Sequence, residues 1–202
     1  INYIYSDEYA EFEQITDEII CDIVDFPNVL NLYFVPLLSK DSDGQTLSLC
    51  GYTYLTGERN RVLIANQCAS NGSTLAHEIG HYFSLLHTHD TTNGIETVAR
   101  VGCNHLGDGF CDTPADPNLS SLVNANCQYT GMVQDPYGEY YNPDPSNIMS
   151  FSRKECRNYF SQQQIQKMRT YFKTYRSYLY CIHNGNMTND KSRYDFFKKK
   201  IK

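Results

Sequence analysis

Apolar side chains near the start of the chain are spaced three and four residues apart. Between residues 8 and 26 they are separated by acidic residues in the pattern of an amphipathic helix, carried by Phe12, Ile15, Ile19, Ile20 and Ile23. Pro27 and Asn28 interrupt this pattern, and residues 29–37 form a short apolar and aromatic run typical of a buried strand. The pattern therefore predicts a helix, then a strand, and then a polar turn at residues 40–45.

Two further apolar runs predict strands at residues 47–55 and 61–67, joined by a tight connection at residues 56–60. Tyr52 and Tyr54 alternate with threonines in the first run. This strand can therefore lie at a sheet edge and offer its backbone to an extended peptide. A plain edge strand without a binding role fits the same residues equally well.

A second helical pattern begins at Ser73, whose hydroxyl can cap the first turn. Its predicted packing face consists of Leu75, Ala76, Ile79, Phe83 and Leu86. From residue 90 to residue 146 Asp, Asn, Gly and Pro dominate. A loop of that length inside a domain is either functional or held by covalent and ionic links.

A capping box at residues 161–164 predicts the start of a long C-terminal helix. One stripe of this helix carries Ile165, Met168, Phe172, Tyr175 and Leu179. The polar residues from 183 onward predict a solvated tail or linker.

Length and charge limit the function classes that fit the chain. Its 202 residues can bury one sizeable core, so we expect one domain of two halves. The net charge of -6 and the pI near 5.4 give no reason to expect a nucleic acid or an anionic membrane surface as a partner. No apolar run approaches the roughly 20 residues of a spanning helix.

The eight cysteines include no Cys-x-x-Cys pair of the kind found in zinc ribbons and thioredoxin-like motifs. Disulfides are therefore expected, and with them a secreted, periplasmic or cell-surface location. The chain starts at Ile1 without an initiator methionine or an apolar leader. We expect a mature or trimmed form from which signal peptide and propeptide are absent.

The candidate chemistry lies at residues 77–87. In a helix His77 and His81 are four residues apart, so both imidazoles project from one face and can hold one ion. Glu78 is placed to act as general base towards a zinc-activated water. His87 can reach the same ion only if the helix stops near Ser84 and the chain turns back. The alternative, an amphipathic helix with histidines that are merely packed, leaves the glutamate and the third histidine unexplained.

The pattern His-Glu-x-x-His-x-x-x-x-x-His resembles the metzincin metalloproteases, and Asn-Ile-Met-Ser-Phe at residues 147–151 resembles their Met-turn. Further features resemble the pappalysin (cytophagalysin) family within that clan. They are Thr88 after the third histidine, Gly-Asp at 107–108 leading to Asp-Thr-Pro at 112–114, and a cysteine seven residues after Met149. The resemblance extends from Asn31 to Phe172.

The resemblance implies that His77, His81 and His87 bind zinc, that Glu78 is the general base, and that Met149 lies beneath the metal. The implied activity is hydrolysis of peptide bonds by a metal-activated water. The protein would be a secreted, monomeric zinc endopeptidase that acts on protein or peptide substrates.

The fold implied by the resemblance is an α/β (α+β) metzincin-type domain. It comprises a twisted mixed sheet with the active-site helix, then an irregular C-terminal subdomain with the Met-turn and a long C-terminal helix. The catalytic domain would cover residues 1–182, divided near residue 87 into an upper and a lower part. Residues 183–202 would form a basic tail or linker.

Three residues depart from the family pattern. The family normally has glycine at the position of Ser84, where a left-handed backbone costs a non-glycine residue about 1–2 kcal/mol. Phe151 stands where many metzincins have a tyrosine that can reach the zinc or the oxyanion, so zinc or another donor would have to stabilise that charge. His89 stands where the family has an aromatic residue, and we expect it beside the site or in solvent.

The resemblance implies a disulfide between Cys127 and Cys156, which ties the irregular segment before the Met-turn to the loop after it. Other pairings stay open, because eight cysteines allow many connectivities. The expected ones are Cys103 with Cys111, Cys50 with Cys68, and Cys21 with Cys181.

Two further sites are expected in the lower part. Oxygen ligands lie close together in sequence at Asp108, Asp112, Thr113 and Asp116, and the resemblance favours a calcium ion there over ordinary Asx-turn and capping chemistry. The loop at residues 152–155, together with Phe151, should line the pocket for the substrate residue just after the cleaved bond. Glu155 can favour arginine or lysine in that pocket, whereas Arg153 and Lys154 can neutralise it.

Two rival functions remain for the chain. A catalytically weakened metzincin-like module for binding or adhesion is favoured by Ser84 and Phe151, whereas the intact ligand and base residues favour the enzyme. A non-peptidase zinc hydrolase on an unrelated fold does not explain the Met-turn residues at 147–151.

Overall fold

The computed structural model describes residues 11–13, 21–22, 25–55, 59–70 and 72–180. Six strands form two three-stranded sheets in this part of the chain. The first sheet contains β1 (Glu11–Glu13), β3 (Leu37–Ser42) and β4 (Gln45–Ser48), and the second contains β2 (Asn31–Val35), β5 (Gly51–Thr53) and β6 (Arg61–Ala65).

Both sheets mix parallel and antiparallel pairs, which confirms the expected α+β class. In the first sheet β3 lies between its parallel partner β1 and its antiparallel partner β4. In the second sheet β6 lies between its parallel partner β2 and its antiparallel partner β5. Pro36 separates β2 from β3, and because proline has no N–H to donate, it interrupts the ladder where the chain leaves one sheet for the other.

The prediction of a helix at residues 8–26 is wrong at residues 11–13, the first of these residues that the structure describes. Glu11–Glu13 is a strand, and the side chain of Phe12 packs in a core cluster with Val35, Leu38 and Leu63. A polar–apolar–polar triplet fits the two-residue period of a strand as well as it fits a helix, and pairing with β3 decides between them. Cys21 and Asp22 are helical, and most of the remaining predicted helix lies outside the described residues.

Other strand boundaries also differ from the prediction. The turn expected at residues 40–45 contracts to Asp43 and Gly44, which both have positive φ and join β3 to β4 as a two-residue hairpin. The single strand expected at residues 47–55 is divided between β4 and β5, in different sheets. The strand expected at 61–67 ends at Ala65, and helix α1 (Asn66–Ala69) follows.

Helix α2 (Ser73–Tyr82) lies against β5 and β6. Residues 83–161 then contain only turns and isolated bridges, as the composition indicated. Helix α3 (Gln162–Tyr175) begins with the predicted capping box, which is confirmed: the Ser161 side chain accepts from Gln164 N–H, and the Gln164 side chain accepts from Ser161 N–H. Leu179 lies in a short 3-10 helix (Ser177–Leu179) rather than in α3.

Among the described residues, no helix is long and apolar enough to span a membrane. The expected tail at residues 183–202 lies outside them.

Candidate metal centre and its cleft

Polar residues of α2 are buried deeper than its apolar ones. The predicted packing face is only partly buried, whereas the buried positions are Ser73, Thr74, His77, Glu78, Gly80 and Tyr82. A helix that buries histidine and glutamate instead of presenting them to water has polar groups that must find partners. These partners lie in the irregular segment that follows the helix.

The start of α2 differs from the expected cap. Gly72, with φ 71°, occupies the N-cap position, and no side chain caps the helix. The Ser73 hydroxyl instead donates to the backbone oxygen of Lys154 at 2.9 Å. Ser73 therefore joins the helix start to the loop at residues 152–157.

The end of α2 has the turn expected at Ser84. Ser84 has φ 69°, a left-handed conformation. Its N–H donates to the His81 oxygen at 2.8 Å, and the Leu85 N–H donates to the Gly80 oxygen at 3.0 Å. These two bonds form a Schellman motif, which ends the helix and reverses the chain towards His87.

The three histidines converge on one point. Their Nε2 atoms are 3.1 Å apart between His77 and His81, 2.9 Å between His81 and His87, and 3.2 Å between His87 and His77. The Nδ1 atom of His77 lies 2.7 Å from the Ile148 oxygen, and that of His81 lies 2.8 Å from the Leu85 oxygen. Both contacts favour the tautomer with the proton on Nδ1, which leaves lone pairs on the converging Nε2 atoms.

This donor set fits zinc. Two acceptor nitrogens in contact need a cation between them, and a tetrahedral zinc ion with Zn–N bonds of about 2.0–2.1 Å sets its nitrogen ligands about 3.3 Å apart. Burial, with the neighbouring His81 as the next cause, lowers the pKa of His77 to about 3 and that of His87 to about 2. The imidazoles are therefore neutral at pH 7, the form that binds metal. Among the described residues, these three histidines form the group of side chains that could hold a metal ion.

Glu78 lies in the same cleft as the histidines. Burial raises the pKa of its carboxyl to about 8, and the positive charge of Arg157 opposes that shift. A Cβ atom on Gly51 would lie 2.9 Å from Glu78 Cγ, so glycine is what lets strand β5 approach the helix here. The resulting cleft of about 500 Å³ is lined by β5, by α2 and by the segment after Met149.

The segment expected as the Met-turn packs against α2. Met149 is fully buried, and a Cβ atom on Gly80 would lie 2.4 Å from its Sδ atom, so only glycine fits on the facing helix. The Met149 oxygen accepts from Thr88 N–H at 3.2 Å. Together with the bond between His77 and the Ile148 oxygen, this contact ties the segment to the first ligand and to the chain after the third.

A buried amide pair that sequence reasoning missed supports this segment. Asn147 Nδ2 donates to Gln164 Oε1 at 3.0 Å, and Gln164 Nε2 donates to Asn147 Oδ1 at 3.2 Å. Asn147 Oδ1 also accepts from Met149 N–H at 2.8 Å. In sequence, Gln164 signals only a helix start, and nothing local indicates that it also holds the Met149 segment.

Phe151 and His89 lie beside the histidines. The Phe151 ring lines the cleft, with its centroid 4.4 Å from those of His87 and His89. His89 stacks on His87 at 5.1 Å and stays outside the metal-binding cluster, in agreement with the expected position beside the site.

The charged residues of the cleft differ from the expectation. Lys154 and Arg157 line it, whereas Glu155 does not. The Glu155 side chain is 69% exposed and lies 3.7 Å from Arg153. Because Ser73 holds the backbone at Lys154, the loop directs Lys154 rather than Glu155 into the cleft.

The four expected calcium ligands do not converge. Asp112 accepts from Ser161 Oγ at 2.7 Å and from Gln163 N–H at 2.8 Å, so it caps α3. Asp116 accepts from the Thr88 hydroxyl at 2.6 Å and from Asn118 N–H at 2.7 Å. These two carboxylates do ordinary capping and Asx-turn chemistry.

Only Asp108 and Thr113 of that group stay together, with the Thr113 hydroxyl 3.0 Å from both carboxylate oxygens of Asp108. Glu96, which sequence reasoning missed, is a second buried carboxylate nearby; neither of its oxygens has a hydrogen-bond partner, and Arg100 Nε lies 3.5 Å away. Burial raises the pKa of each carboxyl to about 7, and the charge of Glu96 adds to the shift at Asp108.

Three disulfides join pairs expected from the sequence: Cys50 with Cys68, Cys103 with Cys111, and Cys127 with Cys156. The first connects the start of β5 to α1. The other two lie in the irregular segment or at its edge. The fourth expected pair, Cys21 with Cys181, cannot be compared because residue 181 lies outside the described residues.

Known proteins resemble this chain over most of the described part. An extracellular metalloprotease of Arthroderma benhamiae is 30% identical over 168 residues, which cover 73% of this chain and 49% of that protein. One of Sordaria macrospora is 34% identical over 106 residues, covering 52% of this chain and 32% of that protein. The solved structure of Tannerella forsythia mature mirolysin in complex with a cleaved peptide has a TM-score of 0.48 and 21% identity, covering 74% of this chain and 55% of that one.

The chain thus spans about half of the Arthroderma protein and less of the Sordaria protein. The family model described as Pregnancy-associated plasma protein-A matches residues 57–173, which include the three histidines, Glu78 and Met149. This match covers more than half of the chain. The chain belongs to the Peptidase_M43 (pappalysin) family.

Proposed function

We propose that this chain is the catalytic part of an extracellular zinc endopeptidase, with His77, His81 and His87 as zinc ligands and Glu78 as general base. The convergence of three imidazole Nε2 atoms within 3.2 Å of one another, in a cleft that Glu78 also lines, carries this proposal. Zinc, when bound, would polarise the scissile carbonyl and lower the pKa of the attacking water. The family membership and the names of the relatives support the same function.

Glu78 supplies the proton transfers. Its carboxylate takes a proton from the attacking water and gives it to the leaving amine, so that the peptide bond breaks without a charged amide leaving group. Burial raises the pKa of this carboxyl, which makes the carboxylate a stronger base for the first transfer than a carboxylate in water.

Strand β5 provides the binding edge. It pairs with β6 on one side, lies at the edge of its sheet, and contributes Gly51, Tyr52 and Thr53 to the cleft wall. An extended substrate can add to this edge through backbone hydrogen bonds. Of the two roles considered from the sequence for this strand, peptide binding is the one we propose.

Backbone contacts orient the ligands. The Ile148 and Leu85 oxygens fix the rings of His77 and His81, and the Met149 side chain fills the space against Gly80. Such outer partners of metal-binding histidines typically change metal affinity about 10–100-fold when lost. We therefore propose that residues 147–151 act as the Met-turn.

We propose residues 1–182 as the catalytic domain, acting as a monomer on protein or peptide substrates, with residues 183–202 as a tail. Secretion is supported by the three disulfides and by the relatives named extracellular.

Calcium remains part of the proposal at a smaller site. Asp108 and Thr113 supply oxygens from one loop, and the buried carboxylate of Glu96, whose Oε1 lies 3.5 Å from Arg100 Nε, is nearby. A hard divalent cation would neutralise both carboxylates.

A binding module without activity is the second candidate, favoured by one observation: Phe151 puts a ring without a hydroxyl into the cleft beside His87. Ser84 does not favour it, because the helix still ends in the geometry that brings His87 to the other two ligands.

Hydrolysis of casein by the zinc-loaded chain and its Glu78→Ala variant separates the two candidates. We expect the variant to lose about 100- to 10,000-fold in rate, the usual contribution of a general base, with its zinc content unchanged. Glu155→Ala, at an exposed position, is the matched control and should keep the native rate. No hydrolysis by the native zinc-loaded chain would leave the binding module as the function, whereas equal, measurable rates for the native chain and Glu78→Ala would contradict Glu78 as general base.

A further inference from the structure

The side of the cleft formed by the loop after Met149 is positively charged. Lys154 and Arg157 both line the cleft, and among the residues that the structure describes Glu78 is the only acidic one in its lining. Burial is the largest cause that lowers the pKa of Lys154, and the positive charge of Arg157 is the second. The two cations therefore repel each other on this side of the cleft. The net charge of the chain, -6, has the opposite sign.

Neither cation is paired with a carboxylate in the described part of the chain. The Lys154 ammonium contacts the sulfur atoms of the Cys50–Cys68 disulfide, 3.1 Å from Cys68 Sγ. The Arg157 guanidinium donates to the Ser150 oxygen at 3.3 Å and to Ser73 Oγ at 3.2 Å, and its Nη1 also lies 3.3 Å from His77 Nδ1. Its Nε has no hydrogen-bond partner. These contact partners are neutral. The charge of Glu155 acts on both cations and that of Glu78 acts on Arg157, but neither carboxylate forms an ion pair with them in the described part, so a ligand carboxylate can still pair directly with either cation.

The fold holds this positive side in place. Ser73 accepts from Arg157 and donates to the Lys154 backbone, so one residue at the start of α2 fixes both positions. The Cys127–Cys156 disulfide anchors the residue next to Arg157. A charge held by such contacts selects a partner better than one on a mobile surface side chain, because less rotamer freedom is lost on binding.

We propose that this side of the cleft binds the substrate residue just after the cleaved bond and selects aspartate or glutamate there. The inference rests on the proposed peptidase function and specifies its substrates. The arginine fork matches a carboxylate and the lysine adds a point charge, so an acidic side chain gains charge-assisted hydrogen bonds. A lysine or arginine in the same place would meet two like charges, neither of which is in an ion pair with a carboxylate of the described residues.

Cleavage-site profiling of the zinc-loaded chain on a proteome-derived peptide library tests this proposal. Aspartate and glutamate should be enriched at the position directly after the cleaved bond. Enrichment of lysine, arginine or apolar residues at that position would overturn the inference while leaving the peptidase intact. Failure of the zinc-loaded chain to cleave any peptide would instead overturn the proposed function.

Charge reversal at Lys154 tests whether this residue selects the acidic substrate side chain. For a matched peptide pair with glutamate or lysine after the bond, Lys154→Glu should lower the ratio of kcat/KM values, glutamate over lysine, by about tenfold or more, the usual effect of a hydrogen bond to a charged group. Arg153→Glu reverses a charge in the same loop outside the cleft lining and should leave the ratio unchanged. Equal ratios for the native chain and Lys154→Glu would overturn the role of Lys154.

Binding without turnover gives an independent measurement. In Glu78→Ala, which should bind peptides without cleaving them, the glutamate peptide should bind about tenfold more tightly than the lysine peptide, and 0.5 M NaCl should reduce the difference. Arg157→Lys, which keeps the charge, should keep the order of affinities. Equal affinities at low salt would contradict the inference whether or not the native chain is active.

Discussion

Residues 61–82 and residues 83–161 build the same site by different means. The first region is a strand and two helices that bury their side chains against a sheet, and it supplies His77, His81 and Glu78. The second has only turns and isolated bridges, and it supplies His87, the Met149 segment and both cleft cations. Covalent links and side-chain hydrogen bonds replace regular hydrogen-bond ladders there.

The difference shows which residues of the site need regular secondary structure and which need an irregular backbone. Two ligands at fixed spacing with a base between them come from one turn of helix, whose geometry is set by the backbone. The third ligand and the substrate-facing charges need directions that no helix or strand provides. The chain reaches them through left-handed turns such as Ser84 and through anchors such as Asn147 with Gln164.

The largest expected difference is between removing the Cys127–Cys156 disulfide, which lies within residues 83–161, and removing the Cys50–Cys68 disulfide, which ends in residues 61–82. Replacing both Cys127 and Cys156 by serine should lower the free energy of unfolding by about 2–5 kcal/mol, because this link closes a long irregular segment. Replacing Cys50 and Cys68 should cost less, since hydrogen-bonded strands already hold β5 and β6 together. Urea unfolding of the zinc-loaded variants measures both. A larger loss for the Cys50–Cys68 variant would contradict the comparison.

Calcium should act on the irregular region, and its effect should depend on pH. Glu96 and Asp108 have folded pKa values of about 7, above the ordinary values of carboxyls, so the folded state holds more protons than the unfolded state between about pH 4 and pH 7. Without calcium, stability from these groups is present below that window and falls as the pH rises through it. Calcium should oppose this fall by neutralising the ionised pair.

Thermal unfolding of the zinc-loaded chain, with and without calcium, measures this effect. Saturating calcium should raise the Tm by several degrees at pH 8, equivalent to about 2–3 kcal/mol, and by much less at pH 5. Glu96→Gln removes one of the two charges and should weaken the calcium effect at pH 8. An equal shift at both pH values would show that calcium, if it binds, does not use this pair.

The smallest expected effect is at the junction of the two regions. Ser84→Gly should raise the free energy of unfolding by about 0.5–1 kcal/mol, because relief of the left-handed strain exceeds the added entropy of the unfolded chain. The matched control is Ser70→Gly, at a helix end with φ -79°, which should instead destabilise by about 0.5–1 kcal/mol. Urea unfolding compares them, and destabilisation by both would show that Ser84 is not strained.

The sequence predicted the parts of the fold that depend on local periodicity or on fixed motif spacing. The helix end at Ser84 followed from the need to bring His87 back, and the capping box at Ser161 followed from four consecutive residues. The strand at Glu11–Glu13 was missed because a three-residue element is specified by its partner β3 rather than by its own pattern.

The parts that could not be predicted depend on contacts between distant residues. Ser73 has the sequence of an N-cap, but the nearby Lys154 backbone takes its hydroxyl instead. Glu96 carries no local signal of burial. Glu155 and Lys154 are adjacent, and only the anchored backbone decides which of them faces the cleft.

The most direct measurement of the central claim is peptide hydrolysis by the metal-free chain as zinc is added in small steps. We expect no activity without zinc, a rate that rises linearly and levels off at one equivalent, and no such rise in His87→Ala. Full activity without zinc, or an unchanged titration in His87→Ala, would contradict a zinc centre formed by these three histidines.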